Sequence, residues 1–592
     1  MKLVIPYIDT PLPADARLTR LAEFLGITCE QLALTRSTTD YIGFLESTNI
    51  PRDSCFVVNP EVMKEWLGDT VPEELGFILA RQFRNCLVYA ARVDMFHAEV
   101  VAKLSGGSLQ TVQSPQQAIT SYDIAPDSRD ICEAFAGLSF GPINTSTDRV
   151  FVADDGPSLR RLISIGPDVF MAAVRRDDAE IMFVGSGDVA ELSDKVNEAG
   201  PIEYFSRFVP LAMALRHIFD QECWRPCEQH ASVIIDDPLL KTDYGFLNFD
   251  ALLNLTKRHK FQTSIAFIPH NYRRSARRIT KMFLENADRL ALCFHGNDHG
   301  EAEFATTNTA VLNTMLDTAE QRMAIHKQIT GLTCDRVMVF PQGKFSIEAM
   351  SVLRDRNFEA AVNTVSHPKQ RKMDLALSDL AAPAVLCYEG FPLFLRKDSA
   401  HTNRVEIAWN LFFGRPIFIV EHHGIFGDPQ KLIDAVDRIN EVAHGVCWSN
   451  VGTAVRRSIL GRREADGRCQ IRAYSRTIEV LNGSKGRERF LIEWDNATHP
   501  DAVETVLRDG MPCNDFMIDN ARLSIVADID PGVSQEFSVV YRNNHAVSSR
   551  GNLWTMALAF TRRRLSEIRD NYISKSPALL GFTKSMQRRL QQ

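Results

Sequence analysis

The sequence predicts an α/β chain. Its centre is a parallel β/α array closing into a distorted barrel, with an N-terminal α/β domain before it and a C-terminal β-sandwich-like module after it. Three observations carry this expectation. Between residues 225 and 460, short apolar runs alternate with stretches that are apolar at helical spacing, the pattern of repeated β/α units. Before residue 220, strand-like and helix-like patterns also alternate, as in a partly parallel α/β sandwich. After residue 463, short strand-like runs are separated by turn residues such as Asn482-Gly483-Ser484.

In the first domain, over 1–220, Lys2-Leu3-Val4-Ile5 reads as a strand and 14–25 as an amphipathic helix. Cys55-Phe56-Val57-Val58 is a strand, 72–83 a helix, and Asn85-Cys86-Leu87-Val88-Tyr89-Ala90 a strand again. The runs 168–174 and 180–184 flank Arg175-Arg176-Asp177-Asp178-Ala179 and predict a hairpin. Gly185-Ser186-Gly187-Asp188 reads as a turn capping a helix. Neither a GxGxxG fingerprint nor a GxSxG elbow occurs here, so this domain is expected to be non-catalytic. The stretch 205–220 is apolar at helical spacing and is expected to dock the first domain on the second.

The second domain, over 225–460, has candidate strands at 232–235, 263–268, 290–294, 337–340, 360–363 and 417–420. Helices are expected between them, among others at 249–259, 275–284 and 310–327. The third, over 465–545, has short strands around Ile471, Ile478, Leu491 and Val539 and in 521–528. The last segment, 550–592, reads as helical over 554–572 and is basic, with Arg562-Arg563-Arg564, Arg569, Lys575, Lys584, Arg588 and Arg589. A solvated helix face explains such a run, and so does contact with an anionic membrane surface or a protein partner.

Composition narrows the classes. A formal net charge of −7 argues against broad nucleic-acid binding. Met1 to Asp9 has no long apolar core and no small-residue cleavage site, so it does not read as a signal peptide. No run approaches the roughly twenty apolar residues of a membrane span. A cytoplasmic protein, possible at a membrane only peripherally, is the expectation. Reduced cysteines suit it; Cys86, Cys293, Cys387 and Cys447 read as small core residues, and Cys223-x3-Cys227 is weak evidence for a bridge or metal site.

The chemistry lies in two strand ends. Ser232-Val233-Ile234-Ile235 closes in Asp236-Asp237, and Leu290-Ala291-Leu292-Cys293-Phe294 closes in His295-Gly296-Asn297-Asp298-His299. Adjacent carboxylates repel, so one wants a cation and the other a proton or a cationic neighbour. Two imidazoles four residues apart and one carboxylate supply three ligands for a divalent metal, with a fourth position open for water. The other carboxylate is then free as a base. Taken singly, the Asp pair could be a helix cap and the His pair a surface feature; together, at the ends of strands, they are the layout of a metal-assisted hydrolase.

These motifs resemble those of the NodB-like polysaccharide deacetylases, metal-dependent carbohydrate esterases, over roughly 225–460. The resemblance implies a NodB-type distorted barrel, with Asp236 as general base and Asp237, His295 and His299 holding the metal, usually zinc. The family's Arg-x-Pro-Tyr-Gly loop is matched by Val339-Phe340-Pro341-Gln342-Gly343, which offers Pro341 and Gly343 to the substrate. Val339 stands where the family has the arginine that orients the base. The final motif is matched by Val420-Glu421-His422, which makes His422 the general acid; His423 follows directly and is a second candidate at the substrate. The implied reaction is removal of acetyl groups, N-acetyl before O-acetyl, from a polysaccharide or its precursor. Three alternatives stay open: a glycosidic-bond hydrolase of the same fold; a non-catalytic metal-containing sugar-binding or scaffold protein, which Val339 keeps in view; and a separate activity in the first domain.

Overall fold

The computed structural model describes residues 1–36, 41–154, 156–197, 200–464, 466–494, 503–519, 522–542, 553–573 and 575. The chain divides into two compact units. One comprises Met1–Arg225, Ala376–Ser378 and Gly461–Cys469; the other comprises Pro226–Leu375, Asp379–Leu460 and Gln470–Gln592.

The second unit carries seven parallel strands: β1 (His230–Asp236), β2 (Thr263–Phe267), β3 (Leu290–His295), β4 (Asp335–Val339), β5 (Ala360–Asn363), β6 (Leu393–Asp398) and β7 (Ile417–His422). They succeed one another in chain order around a ring, and β1 pairs in parallel with both β2 and β7, so the barrel closes. Strands covered on both faces need continuous apolar runs rather than alternation. Every residue of β1 and β2 is accordingly buried. The helix Phe249–His259 connects β1 to β2, and the Asn248 side chain caps it by accepting the Ala251 N–H. The helices expected at 275–284 and 310–327 are Arg277–Glu285 and Thr309–Thr330.

Sequence patterning gave six of the seven strands. The one it missed, β6, has only Leu393-Phe394-Leu395 as an apolar run before Arg396-Lys397-Asp398. Its charged second half hides it from a hydrophobic reading, although Arg396 is buried.

The same unit contains two antiparallel sheets after the barrel. Glu488–Trp494 pairs with Arg522–Ile529, which pairs with Phe516–Asp519. Thr477–Leu481, Ser534–Tyr541, Val503–Arg508 and Met511–Cys513 form the other. In Arg522–Ile529 the buried residues are Leu523, Ile525, Ala527 and Ile529, the period-two pattern of a sheet with one covered face. A helix, Leu553–Ile568, and a turn, Arg569–Ile573, follow. Lys584, Arg588 and Arg589 lie outside the described residues. Among the described residues no helix is long and apolar enough to cross a membrane.

In the first unit, Cys29–Ala33, Leu3–Tyr7, Cys55–Val58, Asn85–Val88 and Ala179–Val184 lie side by side in parallel. The sheet continues through antiparallel Asp168–Arg176 and Leu159–Ile165. The expected hairpin is there, with Met171 opposite Val184 and Arg176 opposite Ala179. The helix Phe205–Phe219 belongs to this unit and is buried on nearly every side. Two local expectations are corrected. No helix starts at Gly185-Ser186-Gly187-Asp188: Ser186 instead bridges to Asp148, and the next helical turn begins at Pro201. Cys387 and Cys447 are exposed rather than in the core.

Candidate metal centre

Parallel β/α barrels build sites at the C-terminal ends of their strands, where successive loops converge. β1 delivers Asp236 as its last residue and Asp237 just beyond it; β3 delivers His295 as its last residue and His299 four further on. The structure brings Asp237, His295 and His299 together, with one ligand atom from each lying within 4.8 Å of the others. Asp237 Oδ1 is 3.4 Å from His295 Nε2 and 3.2 Å from His299 Nε2.

The residues present fit a divalent cation. His295 Nδ1 lies 3.0 Å from the Val339 carbonyl oxygen and, as its donor partner, leaves the Nε2 lone pair facing Asp237. Asp237 Oδ1 is buried and accepts no hydrogen bond. An imidazole lone pair and a carboxylate oxygen turned toward each other repel unless a proton or a metal ion lies between them. One carboxylate and two imidazoles are the donor set of catalytic metal sites with an open position.

The backbone is shaped to make this approach. Asp237 holds φ at +80° and His299 at +54°, conformations that are uncommon for residues with a side chain. Gly296 holds φ at +63°, and a Cβ there would lie 1.9 Å from Glu303 Oε1 and 2.5 Å from Pro341 Cγ. The Glu303 carboxylate accepts the N–H groups of Asn297 at 2.8 Å, Asp298 at 3.3 Å and Gly300 at 2.8 Å, which fixes the loop between the two histidines. Asp298 is gripped from outside by Arg322 Nη1 at 2.6 Å and His270 Nδ1 at 2.9 Å.

Charge follows this geometry. Burial works against ionised Asp237, but the neighbouring His295, together with His299 and Arg563, outweighs it and holds its pKa far below the usual carboxylate range. Burial also opposes protonation of His295, yet the Asp236 and Asp237 carboxylates win and its pKa is raised. In His299 burial dominates and pushes the pKa down to about 4.

Asp236 points elsewhere. Arg396 on β6 donates Nη1–H to Oδ1 at 2.7 Å and Nη2–H to Oδ2 at 2.8 Å, a bidentate pair in which both side chains are buried. Burial raises the Asp236 pKa, but Arg396 foremost, then His295 and His422, bring it below the ordinary value. Val339 on β4 offers no guanidinium; Arg396 reaches the same carboxylate from two strands further around the ring. Sequence reasoning missed it because its strand went unrecognised. The available signal was an arginine three residues into an apolar run that ends in an aspartate.

The remaining expected site residues divide. His422 ends β7 in register with Asp236 and is exposed. His423 lies just past the end of β7 and opens the helical turn His423–Gly427. Its ring stands edge-on to Tyr244 at 5.5 Å and stacks on Phe246 at 6.4 Å, and Nε2 lies 3.6 Å from Asp570. Pro341 is buried against Gly296. Gly343, with φ at +66°, gives its carbonyl to Asn363 Nδ2 at 2.9 Å. Pro341 and Gly343 thus shape the loop after β4.

Similar solved structures are carbohydrate deacetylases and esterases. Agd3, described as a novel carbohydrate deacetylase, is 7% identical, with a TM-score of 0.44 over 91% of this chain and 98% of that one. The family 4 carbohydrate esterase from Streptomyces lividans, in complex with acetate, is 13% identical, with a TM-score of 0.23 over 37% of this chain and 92% of that one. The catalytic domain of a peptidoglycan N-acetylglucosamine deacetylase from Eubacterium rectale is 14% identical, with a TM-score of 0.23 over 39% and 91%. No family model and no curated protein matches the chain.

Proposed function

We propose that this chain is a metal-dependent hydrolase of the NodB-like deacetylase type that removes acetyl groups, N-acetyl before O-acetyl, from a carbohydrate. The observation that carries the reading is the division of labour between neighbours: Asp237 faces two imidazoles while Asp236 is locked to Arg396. Asp237, His295 and His299 would hold the ion, and zinc suits one carboxylate and two imidazoles. A bound divalent ion supplies Lewis acidity and makes water acidic enough for a weak base to deprotonate.

Asp236, kept ionised and immobile by Arg396, takes the proton from the water that attacks the acetyl carbon. His422, on the adjacent strand and open to solvent, donates a proton to the departing amine. The carbon–nitrogen bond breaks, and acetate and the free amino sugar leave. The guanidinium that the Val339 position lacks is supplied by Arg396, which favours this reading over an inert scaffold.

The test is acetate release from N-acetylated and O-acetylated oligosaccharides by the full chain, before and after chelation and after zinc is restored. Acetate should appear, vanish with the chelator and return with the metal. A chain that holds its metal but releases no acetate from either class, or that works equally well after chelation, would defeat the proposal.

A further inference from the structure

The helix Leu553–Ile568 and the turn after it reach four of the loops at the C-terminal rim of the barrel. Lys241 Nζ lies 2.7 Å from Glu567, and Tyr244 donates its hydroxyl to Asp570 at 2.7 Å, both in the loop after β1. The Gly245 N–H reaches Asn571 Oδ1 at 2.8 Å. After β2, Arg274 also pairs with Glu567. After β3, Arg562 Nη2 donates to the Asp298 carbonyl at 2.9 Å, one residue before the metal-site His299. After β7, Asp570 faces His423. The basic run, for which a solvated face and a membrane or partner contact were both open, instead packs on these rim loops.

Arg563 is the residue this arrangement leaves unexplained. It is 6% exposed, and its Nε has no hydrogen-bond partner. Among the described residues no carboxylate forms an ion pair with it. Its neighbours Arg562 and Arg564 do have partners, in the Asp298 carbonyl and in Glu567. Arg563 lies close enough to Asp237, His299 and Tyr244 for its charge to act on all three. A buried guanidinium without a counter-ion is costly. Asp237 cannot be that counter-ion once it holds a divalent cation, and Asp236 is already matched by Arg396.

We infer that Arg563 is a specificity-determining residue that binds an oxyanion group, a carboxylate or a phosphate ester, on the carbohydrate whose acetyl group is removed. The guanidinium fork matches either group through paired hydrogen bonds. This rests on the deacetylase reading for the word acetyl, but not for the binding of an anionic sugar. The C-terminal helix is then part of the substrate site, delivering one charge from outside the barrel.

Titration calorimetry on the metal-loaded full chain tests it, with glucuronate and glucose 1-phosphate as anionic probes and glucose as the neutral one. At least one anionic probe should bind at least about tenfold more tightly than glucose, and which one does so separates a carboxylate from a phosphate source. Arg563→Gln should erase that preference with metal content unchanged, and Arg563→Lys should keep part of it. Equal binding of anionic and neutral probes by the unaltered protein would overturn the inference. So would an unaltered anionic affinity in metal-loaded Arg563→Gln, which would assign the anion to the metal alone. If Arg563→Gln fails to fold, folded Arg563→Lys decides: a reduced preference supports the inference and an undiminished one overturns it, because a fork-held anion depends on geometry as well as charge. Acetate release is not read here, so an anion-binding protein that releases no acetate would defeat the proposed function and leave this inference standing.

Discussion

Arg396 holds Asp236 through two hydrogen bonds of 2.7 and 2.8 Å, across 160 residues of sequence and between strands β6 and β1 that do not pair with each other. The contact decides what Asp236 can do. A carboxylate fixed at both oxygens is ionised and immobile, suited to receiving a proton and unsuited to reaching over to the cation beside it.

The pair should be sensitive to geometry as well as charge. Arg396→Ala leaves a buried carboxylate unpaired and should cost about 3–5 kcal/mol of stability. Arg396→Lys keeps one charge and loses the fork, so it should destabilise less. It should retain metal, and acetate release should fall by about tenfold or more. Chemical denaturation, metal analysis and kcat on both variants check this. Full turnover in Arg396→Lys would show that the fork is unnecessary.

Much of the site was readable because it is local. Asp236-Asp237 and His295-x3-His299 each close a continuous apolar run, and such runs mark buried parallel strands. Arg396 was not readable, because its significance depends on a carboxylate in a distant strand and its own strand is half charged. Likewise, the sequence of 562–564 is simply basic; that Arg563 turns inward while Arg562 reaches the Asp298 carbonyl is a matter of tertiary placement. The hairpin of 168–184 was legible for the opposite reason, since its partners adjoin in sequence.

Metal binding should compete with one proton, not two, over most of the acid range. Burial pushes the His299 pKa down to about 4, whereas the neighbouring carboxylates raise that of His295. A proton on His295 must leave before the ion binds. As pH falls below the raised His295 value, the metal affinity should drop about tenfold per pH unit, steepening only near pH 4. Zinc titrations at a series of pH values give the slope. A slope of two between pH 5 and 6 would contradict this ordering.

Gly296 should be intolerant of a side chain. A Cβ would collide with Glu303 and Pro341, and the positive φ adds strain. Gly296→Ala should cost about 1–3 kcal/mol and weaken zinc binding, because the loop that carries His299 must shift. Thermal unfolding with and without zinc measures both. Unchanged zinc affinity would mean that the loop is not held by this contact.

The two adjacent histidines should separate. His422→Ala should keep the metal and lose about 10²–10⁴-fold in kcat if it is the proton donor. His423→Ala should lose less, since its ring packs among Tyr244, Phe246 and Asp570. The reverse order in kcat would transfer the acid role to His423.

Neighbouring aspartates should do different work, Asp236 as base and Asp237 as ligand. Metal content and acetate release, measured on the same preparations of Asp236→Asn and Asp237→Asn, test it most directly. Asp237→Asn should lose both, because an amide is a poor, uncharged ligand. Asp236→Asn should retain one metal per chain and release almost no acetate. Near-full acetate release by Asp236→Asn, or full metal in Asp237→Asn, would contradict the account.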